Sequence, residues 1–149
     1  MKVVYSYYVL DLIHKGHLLM MKNSKAMAGE NGKLIVGILT EEAVLEKKAK
    51  PPILTIDERI DIASSIRYVD AAVPQETYSP IPNIKRIRPD IVMESSSHSE
   101  KEIEEVRKAT ESYGGRVIVM PYYPCQCSTN IKNKIREHDK KTENPPLTS

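Results

Sequence analysis

Apolar and polar positions fall in blocks that switch between the period of a strand and that of a helix. Val3 to Val9 is rich in Val and Tyr and reads as a buried strand. A helix follows, opening near Gly16 and His17 and running through Leu18, Leu19, Met20 and Met21 to about Ala28, where Gly29, Asn31 and Gly32 stop it. Leu34 to Leu39 is a short apolar run, the pattern of a strand covered on both faces. Thr40 caps the next helix, with Glu41 and Glu42 in its first turn, and Pro51-Pro52 breaks that element. Thr55-Ile56-Asp57-Glu58 opens another helix that carries Ile60, Ile62, Ala63 and Ile66 toward the core. Val69 to Val73 reads as a third strand, Asp90 to Met93 as a fourth and Val117 to Met120 as a fifth. A charge-rich amphipathic helix spans Glu100 to Ser112 and ends at Gly114-Gly115, and a last helix starts near Ser128-Thr129 and covers Ile131 to Glu137.

Strands alternating with helices predict an α/β fold, Rossmann-like and doubly wound around a five-stranded parallel sheet. Residues 1–137 form one domain in this reading. The polar stretch 138–149, with Pro145-Pro146, reads as a flexible tail or linker. Sheets of this kind bind ligands at the carboxyl ends of their strands.

Composition narrows the function. Lys and Arg number 22 against 20 Asp and Glu, a balance without the basic stripe of a nucleic-acid binder. No apolar run approaches the ~20 residues of a membrane span, and no signal-peptide cleavage site follows Met1. Cys125 and Cys127 are too few for a disulfide framework and too close for an easy mutual bridge, so a reducing cytoplasm is expected.

The first strand leads directly into Asp11-Leu12-Ile13-His14-Lys15-Gly16-His17, which carries the most chemistry. Two imidazoles stand three residues apart across a glycine at a strand-to-helix turn. Gly16 lets the backbone turn tightly and lets a ligand approach it. The helix N-terminus offers unpaired N–H groups and a positive dipole end, which favour phosphate. Imidazole donates to phosphate oxygens, as a cation near neutral pH. Donors fixed where charge develops during attack on an α-phosphate lower the barrier. A metal site and a purely structural histidine pair remain open from the motif alone. Two histidines supply only two of the ligands a metal needs.

The stretch Tyr8-Val9-Leu10-Asp11-Leu12-Ile13-His14-Lys15-Gly16-His17 resembles the opening of the nucleotidyltransferase superfamily with the His-x-Gly-His signature. The resemblance runs from about Val3 to Glu137. Lys47-Lys48 is similar to the family's basic loop, Asp57-Glu58-Arg59 to its Glu-Glu-Arg helix start, and Cys127-Ser128-Thr129-Asn130-Ile131-Lys132 to its late Ser-Ser/Thr-Thr-x-Ile-Lys motif. Val73-Pro74-Gln75-Glu76-Thr77, Pro82-Asn83-Ile84 and Arg88-Pro89-Asp90-Ile91-Val92 look most like the cytidylyltransferase domains found with phosphoenolpyruvate mutase in phosphonate biosynthesis.

That resemblance implies a cytidylyltransferase using CTP, Mg²⁺ and a small phosphonate- or phosphate-bearing alcohol such as 2-hydroxyethylphosphonate. It implies His14, His17 and Lys48 as catalytic residues. Tyr8, Val9, Leu10, Gly16, Lys47, Glu94, Ser128, Thr129 and Lys132 are implied to bind nucleotide, and Asp11 and Arg59 to bind substrate. It implies no protein-held metal, and a homo-oligomer, most simply a dimer. An adenylyltransferase using ATP to make a coenzyme or dinucleotide is the alternative, and a degenerate domain that binds nucleotide or only assembles is another. The chain departs from the family pattern at Tyr8, where Gly is expected, and at Pro124-Cys125-Gln126-Cys127. It departs again at Met93-Glu94-Ser95-Ser96-Ser97-His98, a run after a strand end that meets the base or the acceptor, or else caps the following helix.

Overall fold

The computed structural model describes residues 1–121 and 128–143. Strands β1 (Val3–Tyr8), β2 (Lys33–Leu39), β3 (Ala71–Gln75), β4 (Ile91–Ser95) and β5 (Arg116–Met120) form one sheet in the order β3-β2-β1-β4-β5. Every neighbouring pair is parallel. The expected doubly wound α/β fold is therefore the one adopted.

The strand order explains the layering. From central β1 the chain winds outward through β2 to β3, then returns to β4 on the other side. Right-handed crossovers put the helices of the two halves on opposite faces. Helices α1 (Lys15–Ala28) and α3 (Ile56–Ser64) bury Met21, Ala28 and Ala63 against Val4, Val36 and Ile38 on one face. Helices α4 (Ile81–Ile87) and α5 (Glu100–Glu111) bury Ile84 and Val106 against Tyr5 and Val92 on the other. The short α2 (Glu41–Leu45) closes the end of β2 with Ala43 and Val44, its Ala43 N–H held by the Thr40 hydroxyl at 3.2 Å.

Gly37 marks a close approach. A Cβ there would stand 2.0 Å from the Tyr5 hydroxyl. That hydroxyl donates to Gln75 at 2.6 Å and accepts from Asn83 at 3.0 Å, joining β1, β3 and α4 through a buried polar relay.

The structure departs from the sequence reading at several places. Strand β3 starts at Ala71 because Asp70 is diverted. Its carboxylate accepts from the Leu34 N–H at 2.8 Å and from Lys25 at 2.6 Å, pinning the sheet edge. Helix α4 has no counterpart in that reading. Pro80 and Pro82 lie at its first turn, where a missing N–H costs nothing, and Arg88 ends it in the left-handed region at φ 53°. Helix α6 (Ser128–Glu143) continues past Glu137, so the expected tail begins as helix. Cys125, Cys127, Pro145 and Pro146 lie outside the described residues.

Candidate active site

Strand β1 ends at Tyr8, and the loop beyond it is held rigidly. Leu10 is buried in the left-handed region at φ 58°, a strained state for a non-glycine residue. Arg59 accounts for its persistence. The Arg59 side chain is fully buried, and its guanidinium donates to the carbonyls of Val9 (2.7 Å), Leu39 (2.6 Å) and Leu54 (3.1 Å). One rigid fork thus fixes the carboxyl ends of β1 and β2 and the entry to α3.

His14 then caps α1, and the cap is made of imidazoles. His14 Nδ1 accepts from the Gly16 N–H at 3.1 Å, and His17 Nδ1 accepts from the His14 N–H at 3.2 Å. This is a capping box with two rings in place of a hydroxyl and a carboxylate. It also decides the tautomer. A nitrogen that accepts carries no proton, so each neutral ring holds its proton on Nε2. The rings lie 3.9 Å apart. Burial, reinforced by the charge of His14, pushes His17 down to about 4, and burial also lowers His14. Both are therefore neutral Nε2–H donors at neutral pH, which corrects the expectation of an imidazolium. Tyr8, standing where the family has Gly, packs edge-on against His17 with centroids 5.9 Å apart.

Both histidines line a cleft of about 630 Å³ at the carboxyl ends of β1 and β4, where the strand order reverses. Lys48 reaches this cleft from the loop after α2, and Thr129 and Lys132 reach it from α6. Asp11 is almost fully buried. Its Oδ1 accepts from the Leu54 N–H at 3.0 Å and its Oδ2 from Lys132 at 2.5 Å. Burial alone would raise the Asp11 pKa, but Lys132 and the Leu54 amide outweigh it and hold the carboxyl below the usual value. On the opposite side of β1, Tyr7 donates to the buried carboxylate of Glu94, and His98 Nδ1 lies 2.6 Å from the same carboxylate. Among the described residues no three His, Cys, Asp or Glu side chains gather as a metal cluster.

The model of the cytidylyltransferase-like family matches residues 9–137. The chain belongs to that family. Membership places it among nucleotidyltransferases, with the first histidine motif and the late helix both inside the matched span. Curated relatives include the FAD synthase of Pyrococcus horikoshii, 33% identical over 76% of each chain. The FAD synthase of Korarchaeum cryptofilum is 35% identical over 55% of each chain. The bifunctional protein HldE of Gluconobacter oxydans is 27% identical over 87% of this chain, which spans only 26% of that relative's length. Among solved structures, the lipopolysaccharide core biosynthesis protein of Thermoplasma volcanium shares the fold, with a TM-score of 0.68 at 22% identity over 83% of this chain and 97% of that one.

Family membership and geometry together sort the expected site residues. His14, Gly16, His17, Lys48, Thr129, Lys132, Tyr8, Val9, Leu10, Asp11 and Glu94 all border the cleft. Lys47 does not: its ammonium stands over the Tyr78 ring, 5.6 Å from the centroid. Arg59, expected at the substrate, is instead spent on backbone carbonyls, with Glu41 3.8 Å from it. The Ser128 side chain lies outside the described residues. Tyr7 was not anticipated. The alternation of β1 is the signal that separates it from Tyr8, since successive residues face opposite sides of the sheet.

Proposed function

We propose that the chain transfers a nucleoside monophosphate from a triphosphate to a phosphate or phosphonate oxygen of a small acceptor, releasing pyrophosphate. The observation that carries this is the pair of neutral Nε2–H donors fixed at the N-terminus of α1. The acceptor oxygen attacks the α-phosphorus and forms a new P–O bond. The P–O bond to the β-phosphate breaks, and its electron pair leaves with pyrophosphate. Negative charge builds on the equatorial and leaving oxygens, where His14 and His17 donate without reorganising. Lys48 holds the β- and γ-phosphates as a mobile point charge, and Lys132 adds a second charge held in place by Asp11. Both Asp11 oxygens are already engaged, so the fitting arrangement is Mg²⁺ carried by the triphosphate, where it neutralises phosphate charge.

For the donor, adenylyl transfer from ATP is the first reading, supported by the likeness to two FAD synthases. FAD is FMN joined to AMP through a pyrophosphate link, so FMN is the matching acceptor. Cytidylyl transfer from CTP to 2-hydroxyethylphosphonate is the second, favoured by the family description and by the stretch Val73-Pro74-Gln75-Glu76-Thr77.

Pyrophosphate release, measured with Mg²⁺ and ATP or CTP against FMN, 2-hydroxyethylphosphonate, phosphocholine and glycerol 3-phosphate, tests both. Release with ATP and FMN is expected. Release only with CTP and the phosphonate replaces the first reading by the second. Absence of both release and nucleotide binding contradicts the transfer reading altogether.

A further inference from the structure

The cleft has a lobe on each side of the sheet's carboxyl edge. Tyr7 and Tyr8 are successive in β1, and Met93 and Glu94 in β4, so each pair divides between the two faces. Tyr8 and Met93 lie with α1 and the histidine pair, whereas Tyr7 packs with the α4 and α5 side. His14 and His17, at the start of α1, border the first lobe. Tyr7, Glu94 and His98 border the second.

The second lobe is wired around a buried carboxylate. Glu94 is 1% exposed, and a buried carboxylate is costly unless its oxygens are engaged. Tyr7 donates to Glu94 at 2.9 Å to Oε2, and the His98 ring stacks on Tyr7 with centroids 5.6 Å apart. His98 Nδ1 sits 2.6 Å from Glu94 Oε1, so Nδ1–H donates to the carboxylate. This is the reverse of the His14 and His17 wiring. With Nδ1 committed as a donor, Nε2 is left to gain or lose a proton. The His98 ring hydrogen bonds among the described residues all use Nδ1, and the ring lines the cleft. Capping α5 does not require His98, because Ser99 and Glu102 make a complete capping box there.

The groups facing His98 favour its cation. The Glu94 hydrogen bond and charge, with Glu102 of α5, raise its pKa against the lowering effect of burial. The hydroxyl-bearing rings of Tyr7 and Tyr78 flank it, and Lys47 stands behind the Tyr78 ring.

We propose that His98 is the acceptor-binding residue, taking the acceptor's phosphate or phosphonate on Nε2 in the lobe opposite His14 and His17, with Glu94 and Tyr7 as positioning residues. The word acceptor rests on the transfer reading; the anion site itself rests on the lobe. A dianionic group meeting the imidazolium, and a monoanionic group passing its last acidic proton to neutral Nε2, end in the same ion pair. No other bond changes. The complex holds that one proton, so binding peaks between the acceptor's last pKa and the His98 pKa and weakens as pH rises through the latter.

The test measures binding of FMN and of 2-hydroxyethylphosphonate by calorimetry from about pH 6 to about pH 9, a range that brackets imidazole titration. His98→Asn keeps an amide donor at the Nδ1 position and loses Nε2. It should bind the probe that wild type binds about tenfold more weakly or worse, while ATP and CTP affinities stay within about twofold. His98→Gln places an amide donor near the Nε2 position, so it should recover part of the affinity and lose its pH dependence. Glu94→Gln should move the release midpoint to lower pH. Urea unfolding checks that each variant is folded. His98→Asn binding within about twofold of wild type overturns the inference, as does a wild-type chain that binds neither probe. Pyrophosphate release separates the two claims. Turnover with an unchanged His98→Asn affinity sinks the acceptor site and leaves transfer standing. Probe binding lost in His98→Asn, without turnover on any triphosphate, sinks transfer and leaves the anion site.

Discussion

At the residue scale, the hydrogen bonds that cap α1 also set the chemistry of the site. Because each Nδ1 accepts a backbone N–H, Nε2 of His14 and of His17 is the donor the cleft receives. Either histidine replaced by Ala should lower kcat about a hundredfold or more, the usual cost of losing one preorganised donor. Steady-state pyrophosphate release reads this directly. The depressed His17 pKa also has a stability signature. The unfolded chain takes up a proton near 6.5, whereas folded His17 resists until about 4. Its contribution is complete above about 6.5 and is lost as pH falls toward about 4. His17→Asn keeps an acceptor for the His14 N–H and removes the titration. Wild type should therefore lose on the order of 2 kcal/mol more than His17→Asn between about pH 7 and about pH 4.5, by urea unfolding at each pH. The two histidines were legible in the sequence because their spacing and place after the first strand are local features. Their neutral state was not, because it depends on burial and on ring contact.

At the element scale, the sequence reading placed every strand to within a few residues, since buried parallel strands are short apolar runs between helical blocks. It missed α4, where two prolines and basic residues hide a helix whose buried face is essentially Ile84 with Asn83. It also misplaced Arg59. A charged residue on a helix is ordinarily solvated, and nothing local announces that three carbonyls converge on this one from β1, β2 and the α3 entry. Arg59→Leu leaves those carbonyls without their donor and should destabilise the fold by about 3–5 kcal/mol. Arg59→Lys should rescue little, because an ammonium cannot span the fork. Urea unfolding of both variants checks this. Gly37→Ala is expected to cost about 1–3 kcal/mol, since its methyl would collide with the Tyr5 hydroxyl and break the relay to Gln75 and Asn83.

At the scale of the whole molecule, the first loop and the last helix meet at the site. Lys132 of α6 pairs with Asp11 of the first loop, 121 residues away, so the last helix is latched to the histidine turn. Such long-range pairs, like Tyr7 with Glu94, lie beyond any local pattern and appear only once the sheet is assembled. Lys132→Met should raise the triphosphate KM about tenfold by removing a charged phosphate partner. It should also cost about 1–3 kcal/mol of stability by leaving a buried carboxylate unpaired. The Asp11 carboxyl is held low in the fold, so this contribution is present above about pH 4 and is lost as pH falls through the folded value. The unfolding midpoints of wild type and Lys132→Met should therefore converge in acid. The central claim remains transfer at the histidine pair, and single-turnover pyrophosphate release tests it most directly, comparing wild type with the His14→Ala, His17→Ala double variant at saturating triphosphate and acceptor. The account predicts release by wild type and a loss of about a thousandfold or more in the double variant with triphosphate still bound. Equal rates in the two proteins would contradict it.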